Sequence, residues 1–108
     1  MANEVIPESL RRRYLDSFPT KCSAFESVCE QMEADSSEPE GVAGAIAKLR
    51  DLAHKLAGSA GMYGYDDIGH LAREIVHAVD AGAGTGVLGG MARNLAASLA
   101  GAHAALEI

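Results

Sequence analysis

The sequence predicts an all-α fold, an antiparallel up-down four-helix bundle, and three observations carry that expectation. Apolar residues recur at steps of three and four along most of the chain, the spacing that lays one stripe along a helix. Between those stretches stand short clusters rich in Gly, Ser, Asp and Pro, the residues of turns. Aromatic residues make up only 5% of the chain and tryptophan is absent, while alanine and glycine are abundant. Small side chains of this kind build a core by letting helices approach closely. Helices joined by short connections pack antiparallel. The length of 108 residues suits a single domain over 1–108 with one core.

The first helix is expected from Pro7 or Glu8 to about Ala34. Pro7 suits an opening turn, where its missing N–H is not needed. Leu15, Phe18, Cys22, Phe25, Cys29 and Met32 form the stripe. Pro19 interrupts it, so a kink or break is expected near Ser17. Asp35 to Gly41 reads as a turn. The second helix is expected from Val42 to Ala60, with Val42, Ala45, Leu49, Leu52, Leu56 and Ala60 facing the core. It should end among Gly61 to Gly64, where glycine can adopt a left-handed cap. Asp66 or Asp67 is the expected N-cap of the third helix, whose stripe is Ile68, Leu71, Ala72, Ile75 and Val79. Ala81 to Gly90 reads as a glycine-rich loop, with Thr85 capping the fourth helix. Leu88, Met91, Leu95, Leu99, Ala102 and Leu106 form the last stripe.

Composition excludes several classes of function. A net charge of −6 argues against nucleic acid, which calls for clustered Lys and Arg, and Arg11-Arg12-Arg13 is the only basic run. No apolar run approaches the roughly 18 residues of a membrane span. Met1 to Pro7 lacks the pattern of a signal peptide, so a cytoplasmic monomer is expected. Cys22 and Cys29 stand about 10 Å apart along one helix, too far to join each other, and read as buried thiols. His70, Glu74 and His77 share one side of the third helix but lack a fourth ligand. Local pairing of His70 with Glu74 is the better reading, and no metal site is expected.

One residue stands out. On the second helix His54 lies roughly 140° from the middle of the apolar stripe, so it points into water. Around it on that face are Arg50, Ala47, Ala57, Gly58 and Gly61, most of them very small. Gly58 costs a helix about 1 kcal/mol relative to alanine, which makes sense if something must approach the surface beside the imidazole. Histidine has an ordinary pKa near 6.5, so at neutral pH one ring nitrogen can attack an electrophile such as phosphorus. Ser59 is expected to bond a backbone carbonyl or a neighbouring helix, and Tyr63 and Tyr65 to pack over the bundle end.

The run His54-Lys55-Leu56-Ala57-Gly58-Ser59-Ala60 resembles the core signature of the histidine phosphotransfer (HPt) domain, His-x-Leu-Lys-Gly-Ser-Ala with a glycine four residues later. His54, Leu56, Gly58, Ser59, Ala60 and Gly64 match in register. Ile68, Leu71, Glu74 and Ile75 fall where the family has the apolar and Leu-Glu positions of its next helix. The resemblance is densest over Leu52 to Ile75. It implies a phosphorelay intermediate whose phosphoacceptor is His54, modified at Nε2. The phosphoryl group would come from an aspartate of a response-regulator receiver domain or from a sensor histidine kinase, and pass to another receiver aspartate. It implies that Mg²⁺ is supplied by the receiver and that this chain binds no cofactor. Without an ATP-binding motif, no kinase activity of its own is expected. Two other readings fit the same residues: the histidine-bearing domain of a chemotaxis-type kinase, and a non-catalytic helical interaction module. One departure matters. The family lysine three residues after the histidine is Ala57 here. Lys55 and Arg50 are the available substitutes, and Lys55 is favoured because helical side chains lean toward the N-terminus, carrying the head of Arg50 away. Gly58, Ser59, Ala57 and Gly61 complete the expected phosphate-supporting or docking surface.

Overall fold

The computed structural model describes residues 6–34 and 38–105. The order is α1 (Glu8–Asp16), α2 (Phe18–Ala34), α3 (Pro39–Ala60), a 3-10 turn (Gly61–Tyr63), α4 (Asp66–Asp80) and α5 (Thr85–Ala105), with no strand among the described residues. Helices α2 to α5 form the bundle. Each packs against the next in sequence, and α5 closes the ring against α2.

The first helical region is broken, as its proline requires. The break falls at Ser17, whose N–H reaches back to the Tyr14 carbonyl (3.0 Å). A continuous helix would need residue 19 to donate to the carbonyl of residue 15, and proline has no N–H to give. Pro19 instead lies in the first turn of α2, where no donor is required. This leaves α1 as a short arm outside the four-helix ring.

Helix starts differ from expectation by a few residues. Helix α3 begins at Pro39, with Glu38 as its N-cap, so Pro39 to Gly41 belong to the helix. Residues 35–37 of the expected turn lie outside the described residues. Tyr65, not an aspartate, is the N-cap of α4, and Asp66 and Asp67 fall in its first turn without a side-chain cap bond. They still suit that place, because carboxylates are favoured at the positive end of a helix. The larger correction concerns α5. It begins at Thr85, so Gly86, Gly89 and Gly90 are helical, Thr85 does not precede the helix as a cap, and only residues 81–84 form the loop. Gly89 is buried, and the Cys29 thiol of α2 donates to its carbonyl (3.7 Å). An added Cβ at Gly89 would meet only the Arg93 guanidinium, at 3.6 Å, and one at Gly86 or Gly90 nothing within 4 Å, so burial of Leu88, Ala92, Leu95 and Leu99 outweighs the poor helix propensity of these glycines.

The core is apolar throughout. Phe18, Phe25, Leu49, Leu56, Ile75, Leu88, Leu95 and Leu99 are fully buried, and no polar or charged side chain is buried among the described residues. Small residues contribute more than the expected stripes allowed. Ala53, Ala92, Ala96 and Gly69 are buried, whereas Val42, Leu52, Leu71, Val79, Met91 and Ala102 are only half-buried. Leu106 lies outside the described residues. Cys29 is buried and Cys22 half-buried, both as free thiols pushed above the usual thiol range by burial.

Candidate functional site

His54 projects from the exposed face of α3, while Ala53 and Leu56 beside it are buried. The helix thus turns one side fully into the core and offers the imidazole to solvent. One turn on, Gly58 is exposed, and a Cβ built there would meet nothing within 4 Å. Ala57 is half-buried against the core, and Gly61, also exposed, lies where a Cβ would sit 3.6 Å from an Asp66 carboxylate oxygen.

The C-terminal end of α3 is tied down closely. The Tyr65 N–H bonds the Ala60 carbonyl (2.9 Å) and the Gly64 N–H bonds that of Gly61 (3.1 Å). Gly64 has φ 90°, a left-handed conformation that favours glycine. Helix α4 then comes back against α3 at Gly69, where an added Cβ would lie 3.6 Å from the Ala60 Cβ and 3.8 Å from the Ala57 carbonyl oxygen. Sequence reading passed over Gly69. Its signal was a glycine inside an otherwise clean helical pattern, which marks close packing.

The Ser59 hydroxyl is engaged within the bundle. Its Oγ donates to the Leu56 carbonyl (3.4 Å) and lies 2.7 Å from the Tyr14 hydroxyl. Tyr14 belongs to the arm α1, and its ring stacks on Tyr63 with centroids 4.1 Å apart. Phe18 meets the edges or faces of Tyr14 and Tyr65, so both Tyr63 and Tyr65 cover the bundle end as expected. Burial pushes the Tyr14 hydroxyl above the usual phenol range.

The two candidate cations have different surroundings. Arg50 forms a fork with Asp80 of α4, Nε to Oδ1 at 2.7 Å and Nη2 to Oδ2 at 3.0 Å. This bond holds the Asp80 carboxyl below the usual carboxylate range and raises the guanidinium. Lys55 pairs with Asp51 one turn back (3.1 Å), and both side chains are mostly exposed, 73% and 61%. A pair so exposed exchanges readily with solvent. On the third side of the bundle His70 pairs with Glu74 (3.3 Å), and no group of three or more His, Cys, Asp or Glu among the described residues could hold a metal ion. His103 is half-buried, 3.7 Å from Asp16. No helix among the described residues is long and apolar enough to cross a membrane.

The family model of the Hpt domain matches residues 10–105. No curated protein and no solved structure matched.

Proposed function

Because this chain belongs to the Hpt domain family, whose members transfer phosphoryl groups through histidine in two-component signalling, we propose that it relays a phosphoryl group through His54. The donor is a receiver-domain aspartyl phosphate or a sensor histidine kinase, and the acceptor is a receiver aspartate. One observation carries the reading: the imidazole stands on the open face of α3 beside a glycine with nothing above it.

The chemistry asks little of this chain. The lone pair of one ring nitrogen forms an N–P bond as the P–O bond to the donor aspartate breaks, and the carboxylate leaves with that electron pair. The ring proton sits on the other nitrogen, so no base is needed first. In the second step a receiver carboxylate attacks phosphorus and the imidazole leaves. Phosphoryl transfer is mostly positioning and charge stabilisation. This chain therefore supplies an aimed nucleophile and a surface for the partner, and Mg²⁺ arrives on the receiver. Lys55 supplies the local cation in place of the family lysine, a role that the engagement of Arg50 by Asp80 favours. The reading places the protein in the cytoplasm as a monomer.

His54→Gln tests it. The variant should accept no acid-labile phosphate from a phosphorylated receiver domain, yet melt like the wild type, since exposed substitutions usually stay within about 0.5 kcal/mol. Uptake at the wild-type rate would overturn the assignment. A variant that unfolds would make His54 structural.

A further inference from the structure

The seam between α3 and α4 is pinned at both ends. At one end Gly69 of α4 packs on Ala60 and Ala57, and an Asp66 carboxylate oxygen stands 3.6 Å from where a Cβ of Gly61 would be. At the other end Asp80 grips Arg50. These contacts fix the register of two antiparallel helices. At about 1.5 Å of rise per residue they set Arg73 and His77 of α4 on either side of the level of His54. They also fix the flank. Around α4, Arg73 lies about 40° and His77 about 80° from Gly69, on the side of Asp66 and Asp80. Around α3, Arg50 lies about 40° and Gly61 about 20° from His54. The pairing of Gly61 with Asp66 and of Arg50 with Asp80 therefore brings His54, Arg73 and His77 to one flank of the seam, and all three are exposed.

Charge along this flank is uneven. The carboxylates nearest its middle are engaged elsewhere: Glu74 pairs with His70 (3.3 Å) and Asp51 with Lys55 (3.1 Å). Among the basic groups, Arg50 is held by Asp80, which also attracts His77. Arg73 forms no salt bridge among the described residues. Helical side chains lean toward the start of their helix, which carries its guanidinium over Ala57, Gly58 and Gly61 of α3. A Cβ added at Gly58 would meet nothing within 4 Å, so the space there is open.

We propose that Arg73 binds the phosphoryl group carried by His54, its guanidinium donating two N–H bonds to two phosphoryl oxygens from the α4 side. The inference rests on the phosphorelay reading. A planar guanidinium matches two phosphate oxygens in a way that a lysine ammonium does not. It complements Lys55, which reaches the imidazole from the opposite flank, about 100° around α3. Arg73 gives up no proton and makes no covalent bond. It offsets charge on the oxygens while the N–P bond forms and the P–O bond to the donor breaks, and again when the imidazole leaves.

The test compares Arg73→Ala and Arg73→Lys with Lys48→Ala, which removes the same charge from an exposed site about 120° around α3 from His54. Thermal melts show that each variant is folded. Arg73→Ala should slow phosphoramidate labelling of His54 about three- to tenfold. It should lower kcat for transfer from a phosphorylated receiver domain by a similar factor, with KM changed less than about twofold. In the phosphorylated protein, the phosphorus NMR titration of the phosphoryl group should move up by about half a pH unit, because a neighbouring cation holds that group's pKa down. Arg73→Lys should fall between Arg73→Ala and wild type in all three. An unmoved phosphorus titration, unchanged labelling by phosphoramidate, or an equal loss from Lys48→Ala would overturn the proposal. So would a rise in KM alone, which would assign Arg73 to the surface of the receiver instead of the phosphoryl group. If wild-type His54 takes phosphate from neither phosphoramidate nor any receiver, the phosphorelay reading falls and this proposal with it.

Discussion

Gly58 is the smallest possible neighbour for an imidazole, and the open space above it gives that smallness a use. Gly58→Gln should raise the melting temperature or leave it unchanged, because it recovers up to about 1 kcal/mol of helix propensity. It should also slow transfer from a receiver more than about tenfold, equivalent to roughly 1.4 kcal/mol of hindered approach. Unaltered transfer kinetics would deny the open surface any role in docking. The cations make a second comparison. Lys55→Ala should slow transfer about fivefold at low salt and less at high salt, while Arg50→Ala should stay within about twofold. The Arg50 fork holds the Asp80 carboxyl low, so the pair adds stability at neutral pH that fades as pH falls through that lowered value. Arg50→Ala should let Asp80 titrate higher in an NMR pH series and remove that acid-side loss. Equal transfer by Lys55→Ala and wild type at low salt would show that the domain manages without a cation there. His54, Gly58 and Ser59 were legible because they lie within one helical turn or two. Asp80 is thirty residues from Arg50, so their pairing leaves no trace in local spacing.

At the scale of elements, periodicity located every long helix, and Pro19 located the break near Ser17. Propensity failed where packing outweighed it. Gly86, Gly89 and Gly90 suggested a loop, yet they open α5, because the stripe from Leu88 to Leu99 is buried and that packing outweighs the poor helix propensity of glycine. Alanine positions such as Ala53 and Ala92 were overlooked for a related reason: a stripe drawn through the large residues misses the small ones at the line of closest approach. Gly69 offers a test of that geometry. A Cβ at this position would make ordinary contacts near 3.6 Å, so Gly69→Ala should be neutral or stabilising by up to about 1 kcal/mol. Gly69→Leu should cost about 1–3 kcal/mol by overpacking the α3–α4 contact. Denaturant melts would separate the two, and a harmless leucine would show that the helices are not so closely apposed.

At the scale of the whole molecule, an all-α bundle was legible from the three-and-four spacing, because a core of this kind is built from stripes that local sequence displays. What the stripes do not show is where the arm α1 sits. Its place depends on Tyr14, which stacks on Tyr63 and meets the Ser59 hydroxyl, contacts spanning more than forty residues. The arm thus braces the end of the helix that bears His54. The wholly apolar interior has a further consequence. Among the described residues no charged side chain lies inside the bundle, and the buried Cys29 thiol faces α5 rather than α3, so no buried charge answers a dianion gained or lost on the outside of α3. Loaded and unloaded forms should therefore share one conformation. In the proposed relay, the message then lies in the bond that His54 holds, and a partner must read it by touching that bond, because the shape of the carrier does not announce it.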